Sequence, residues 1–267
     1  MENQKKEKPK FQTKLITGKA DIIILAVFVV IVLIVVLSPR IYLVKTARWQ
    51  EWNKKNTDMV VTAMGPDKTE ERFRLYFQYY NVVHELGHGL IRYNHGVNIP
   101  IAEEEQLVND FAVAYWKYYG EPEKTEELRD IACYAVEHIG DNFKNGVDYM
   151  ELGKANSDES DFRASFFNFN DYGWFQFSSV KHSFEQDKTL EDVLKEMGFK
   201  NATLPEPTLL KHEVVNEEES TRIINEAVDN FHAWGLKFPE TRQSFSSNPN
   251  NNYSKASKNY LHIRDLF

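Results

Sequence analysis

Cysteine is all but absent: Cys133 stands alone among 267 residues. One thiol excludes an intramolecular disulfide and a cysteine-built zinc cluster. Its setting, "LRDIACYAV", reads as the apolar face of a helix, where a small buried core residue is expected. An excess of positive charge is absent too. With 32 basic and 40 acidic side chains the formal net charge is −8, so overall charge gives a nucleic-acid partner no support. No internal repeat is visible, and proline is missing from residues 69–93. The chain otherwise has 42% hydrophobic residues and a high aromatic share of 13%. That suffices for the core of one large domain, with or without appendages.

One hydrophobic run is long. Residues 22–37, "IIILAVFVVIVLIVVL", are apolar without a break. With its flanks the run reaches ~20 residues, the length that crosses ~30 Å of hydrocarbon. The long charged leader and the lack of a small-residue cleavage site favour a retained transmembrane helix over 20–41 rather than a removed signal. Six lysines and two glutamates precede it within residues 1–19, and Arg40, Lys45, Arg48, Lys54 and Lys55 follow. This balance slightly favours a basic cytoplasmic tail over 1–19, a single-pass anchor in the cell membrane, and the main domain outside. Residues 42–56 read as a juxtamembrane linker or short amphipathic helix. Trp49 and Trp52 there suit either an interfacial anchor or helix packing.

The remainder reads as mainly helical. "DMVVTA" (58–63) is β-prone and is a weak strand candidate before Gly65-Pro66. Asp67 has the position of a helix N-cap, with Glu70 three residues on as its capping-box partner. Phe73, Tyr76, Phe77, Tyr80, Val83 and Ile91 then recur at helical spacing, which predicts a helix over roughly 68–93. Further helices are expected near 103–119, 123–140, 174–185, 189–197 and 219–236. The last thirty residues include "SFSSNPNNNYSKASKN", and 241–267 are expected to form a flexible tail.

The chemistry concentrates in "NVVHELGHGLIRY" (81–93). His84 and His88 are four apart, so a helix places them one turn above each other on one face, within reach of a single tetrahedral metal. Glu85 falls beside such a metal and can take a proton from its bound water. This is the H-E-x-x-H arrangement of zinc with a glutamate base. Zinc lowers the pKa of bound water towards ~7. Gly87 and Gly89, each costing ~1 kcal/mol in a helix interior, are explained if the element carrying the third ligand approaches closely. A catalytic zinc wants three protein ligands and an open position. No third histidine stands at the metzincin spacing. The acidic start of the next helix offers Glu105, which shares one face with Asn109 and Ala112. Asn109 can hydrogen-bond a ligand histidine, and Ala112 allows close packing. Glu104 is the rival ligand and His95 a further option. Tyr172, His182, His212 and His232 are candidates to hold an oxyanion. His138 reads as a helix-end residue.

"HELGH" followed by "EQLVNDFA" resembles the small gluzincin-type metallopeptidases. Among these, the ImmA/IrrE-like proteins carry HExxH and then E-x-x-A-N-x-F-A, and related bacterial domains share HELGH. The likeness covers roughly residues 75–118, with Val108 in place of the family's alanine. The resemblance implies a zincin-like domain with Zn2+ as cofactor and a peptide or protein substrate. It implies His84, His88 and Glu105 as zinc ligands and Glu85 as general acid/base.

The expectation is therefore a mainly α protein, α+β being possible, with a transmembrane helix over 20–41 and a zincin-like domain over 57–240. Its expected function is membrane-anchored, zinc-dependent peptide hydrolysis. The alternative is a zinc-binding interaction or sensor protein on the same scaffold. A third reading has no metal and treats the histidines as core residues.

Overall fold

The described chain begins with a strand. In the computed structural model, which describes residues 41–95, 99–139, 147–158, 162–166 and 169–246, β1 (Ile41–Ala47) is followed at once by α1 (Trp49–Met64). Tyr42, Val44 and Thr46 point inward while Leu43 is 44% exposed, the period-2 alternation of a one-sided strand. Residues 42–56, expected as a linker or short amphipathic helix, are β1 and the first half of α1, in a compact unit that starts at Ile41. Trp49 and Trp52 take the packing role: both lie against Phe73, and Trp52 also meets Phe77.

"DMVVTA" is not a strand. It forms the last turns of α1, with Val60, Ala63 and Met64 buried at helical spacing. Burial of that face outweighs the β preference of Val60, Val61 and Thr62. α1 ends at Gly65, whose φ of 84° suits a residue without a side chain. The expected Asp67 capping box is also absent. The next helix starts at Thr69 with Lys68 at the N-cap, one position beyond Asp67.

A rod over Thr69–His95 follows, as the missing proline predicts. It consists of α2 (Thr69–Arg74), a π-helical turn (Leu75–Tyr80) and α3 (Asn81–His95). Phe73, Tyr79, Tyr80, Val82, Val83, Leu86 and Leu90 are all fully buried, so the rod is the centre of the fold rather than a surface helix. The π turn is tied down from two sides. Gln78 Nε2 donates to the Ala47 carbonyl at 3.0 Å, and the Gln78 carbonyl accepts from Ser220 Oγ at 2.7 Å.

α4 (Ile101–Tyr119), α5 (Pro122–Ile139), α6 (Tyr149–Ala155), α7 (Phe162–Ser165), α8 (Phe169–Glu185), α9 (Leu190–Glu196) and α10 (Glu217–Ala233) follow, and α4, α5 and α10 pack on the rod. α4 and α8 pack against each other, and α4 lies along α3. β2 (Glu240–Ser246) closes the described chain. It pairs in parallel with β1 over the whole register from Ile41↔Glu240 to Ala47↔Ser246. Residues 241–246 are therefore strand rather than tail, and 247–267 lie outside the described residues. The protein is mainly helical, with one two-stranded sheet among the described residues. No helix among them is long and apolar enough to cross a membrane. The span expected over 20–41 lies outside them, apart from Ile41.

Candidate metal centre

The H-E-x-x-H stretch falls on α3, and the acidic stretch that follows falls on α4, packed alongside. Gly87 makes that approach possible. A Cβ there would lie 3.0 Å from Phe111 Cδ1 and 3.2 Å from Val108 Cβ, both on α4. Gly89 serves a different neighbour from the one expected. Its missing Cβ leaves room for Tyr42 of β1 and for Phe238, each of which would be 2.8 Å away. The Tyr42 hydroxyl then donates to the Glu85 carbonyl at 2.7 Å. One glycine thus admits the helix that carries Glu105, and the other admits the strand side.

His84 Nε2 lies 3.3 Å from Glu105 Oε2, and His88 Nε2 lies 3.6 Å from Glu105 Oε1. Ligand atoms of the three residues all fall within 4.8 Å of one another. Among the described residues this is the group of three or more His, Cys, Asp or Glu side chains that converges closely enough for a metal. A tetrahedral zinc with bonds of about 2.0–2.2 Å sets its ligand atoms about 3.3–3.6 Å apart, so the donors fit with small movements.

The outer hydrogen bonds fit a metal as well. Asn109 Oδ1 can only accept, so His84 Nδ1 donates to it, at 2.8 Å. His88 Nδ1 donates to Glu104 Oε1 at 2.6 Å. Each ring therefore turns Nε2 inward, as a ligand histidine with an oriented second nitrogen does. Glu104 is not part of the converging group. Its Oε1 is used by His88 and by Arg92 Nη2 at 3.1 Å, and it orients rather than converges. His95 ends α3, and its side chain lies outside the described part.

The charges are tightly coupled. Burial opposes a charge on His88, but the Glu105 carboxylate and hydrogen bonds to Glu104 and Glu105 overcome it, and the His88 pKa is pushed up to about 10. Burial likewise opposes ionisation of Glu105. The adjacent His88 charge and bonds to both histidines hold its carboxyl well below the usual range. In the metal-free protein the Glu105 carboxylate sits where it neutralises a protonated His88. Glu85, the residue after His84, is half-buried. Lys45, on the outer side of β1, has its pKa lowered by burial, with the Glu85 charge pulling the other way.

No protein-family model matches the chain, and neither the curated proteins nor the solved structures offer a match. The chemistry of the centre is therefore carried by its own residues.

α8 supplies what the motif does not announce. Tyr172, Gln176 and Ser179 stand at i, i+4 and i+7, on one face of α8 towards α4. Gln176 Nε2 donates to Glu105 Oε2 at 2.9 Å and to the Tyr172 hydroxyl oxygen at 3.0 Å. Asn109 Nδ2 donates to Ser179 Oγ at 2.8 Å, and the Tyr80 hydroxyl donates to Asn109 Oδ1 at 2.9 Å. The i, i+4, i+7 polar spacing in "YGWFQFSS" is the one signal of this in the sequence. Of the four oxyanion candidates, Tyr172 lies two hydrogen bonds from Glu105 Oε2. His182 lies against Tyr149, His212 is fully buried between Glu219 and Glu226, and His232 faces the Phe238 carbonyl. His138 ends α5, as expected, with Nδ1 donating to the Tyr134 carbonyl at 2.8 Å. Cys133 is half-buried rather than fully in the core.

Proposed function

We propose that the chain is a zinc-dependent peptidase of the gluzincin type, held at a membrane by residues 20–41. The observation that carries this reading is the convergence of His84 Nε2, His88 Nε2 and Glu105. Both histidines have their second nitrogen fixed by a buried acceptor, and Glu85 follows His84 in the chain as the motif requires.

Zinc bound by these three residues supplies a Lewis acid for a peptide carbonyl and makes water nucleophilic near neutral pH. His84 and His88 keep both Nδ1 protons on Asn109 and Glu104, so their Nε2 lone pairs stay free for the metal. The Glu85 carboxylate accepts the proton of the attacking water as the new C–O bond forms. It then delivers that proton to the departing amine nitrogen as the C–N bond breaks. Tyr172, whose hydroxyl accepts from the same Gln176 amide that donates to Glu105, is the candidate for hydrogen-bonding the carbonyl oxygen as it gains negative charge. Peptide as substrate follows from the pairing of this donor set with a glutamate base.

A second reading, a closed zinc site that binds without cleaving, is favoured by one observation. The His84, His88 and Glu105 side chains are only 6–12% exposed. Glu85→Gln separates the two. On the peptidase reading it retains zinc and lowers cleavage of a peptide library by ~10²–10⁴-fold, the contribution of a positioned base. Equal cleavage by both proteins contradicts the mechanism. No cleavage by either, with zinc bound, supports the second reading.

A further inference from the structure

α8 contributes no ligand, yet its Gln176 reaches the centre. Resting on the reading of His84, His88 and Glu105 as metal ligands, we propose that Gln176 is a positioning residue that locks Glu105 and His84 into one ligand arrangement.

The orientation of its amide is dictated by its neighbours. An ionised Glu105 can only accept, so the Gln176 NH2 faces Oε2, at 2.9 Å. At the other end Asn109 Oδ1 is already taken by His84 Nδ1–H and the Tyr80 hydroxyl. Asn109 therefore presents its NH2, and the Gln176 oxygen accepts from it at 3.4 Å. One end of the amide holds the third ligand. The other end touches the residue that holds the first. His84 Nε2 and Glu105 Oε2, 3.3 Å apart, complete a closed ring through His84, Asn109, Gln176 and Glu105. His88 stands outside this ring, fixed by Glu104 on its own account.

Packing alone does not explain the residue. Gln176 is 9% exposed, between α8 and α4, where an aliphatic side chain fills space without the cost of burying an amide. That cost is met by bonds aimed at Glu105, Asn109 and Tyr172, all at or beside the metal centre. Without the amide, the Glu105 carboxylate loses the donor that opposes its rotation, and Asn109 keeps only Ser179 as an acceptor for its NH2.

The test is zinc affinity of the full chain, measured by competition with a chromogenic chelator. Wild type is compared with Gln176→Ala and with Gln176→Met, which keeps the volume and removes the amide. The expected result is a Kd weakened 10–100-fold in both, the range seen when a group orienting a ligand is removed. The metal-free thermal midpoint of Gln176→Met should stay near wild type. With cobalt(II) in place of zinc, its visible d–d bands should shift, because the Glu105 donor moves. Wild type that takes up no metal removes the metal reading, and the proposal with it. Wild type that binds, with variants that bind as tightly and give unshifted cobalt spectra, overturns the proposal alone. So does a loss of affinity in both variants matched by collapse of the metal-free midpoint, since packing then accounts for it.

Discussion

His88 contains the centre's electrostatics in one residue. Its ring lies between Glu104 and Glu105, and its pKa is pushed up to about 10 against burial. A raised folded-state pKa means that the proton is held more tightly in the folded chain than in the unfolded one. The stabilisation is complete below the unfolded value, ~6.5, and is lost as pH rises through the folded value. The metal-free protein should therefore lose thermal stability between pH ~6.5 and about 10. His88→Gln should lack that component, and zinc should remove it from wild type by replacing the proton. Thermal midpoints of the three samples across this range check it. A wild-type curve parallel to that of His88→Gln contradicts the assignment. At this scale the convergence of His84 and His88 is legible in the sequence because i, i+4 spacing on one helix is a local property. Gln176 is not, because it meets Glu105 across 71 residues through the packing of α8 on α4. Glu104 reads as a rival to Glu105, since spacing cannot distinguish the carboxylate that converges on both Nε2 atoms from the one that meets a histidine's Nδ1.

At the scale of elements, the helices around the rod follow from periodicity and from Gly and Pro punctuation. The strands do not. β1 follows closely on an unbroken apolar run, so "IYLV" reads as its continuation, although Tyr42, Val44 and Thr46 already alternate with Leu43 and Lys45. β2 follows α10 closely and has too few apolar residues to stand out. Strand pairing is a long-range contact that neither segment specifies alone, and in this fold it joins positions about 200 residues apart. β1 nonetheless bears on the site, because Tyr42 fills the space over Gly89 and hydrogen-bonds the Glu85 carbonyl. A fragment starting at residue 57 lacks β1 and half of α1, and should be markedly less stable than one starting at Ile41. Urea denaturation of the two, followed by circular dichroism, is the check. Equal midpoints contradict a stabilising role for β1.

Within the described residues, the helix bearing His84 and His88 is buried, and its polar supports come from neighbouring elements and from the π turn of its own rod. α4 brings Glu104, Glu105 and Asn109, α8 brings Tyr172, Gln176 and Ser179, the π turn brings Tyr80, and the sheet brings Tyr42. A buried polar cluster of this size is costly unless its members are paired, and these bonds pair them. Such an arrangement is hard to account for as a plain helical core, where aliphatic residues fill the space without desolvation. The mainly helical class is legible from the sequence, but the layering that makes the cluster possible is not. The central claim is that this cluster holds a metal. The direct test is the zinc content of the full chain, purified without chelator, beside His84→Ala. The account predicts about one zinc per chain in wild type and its loss in the variant. No zinc in either protein, even after zinc is added, would contradict it.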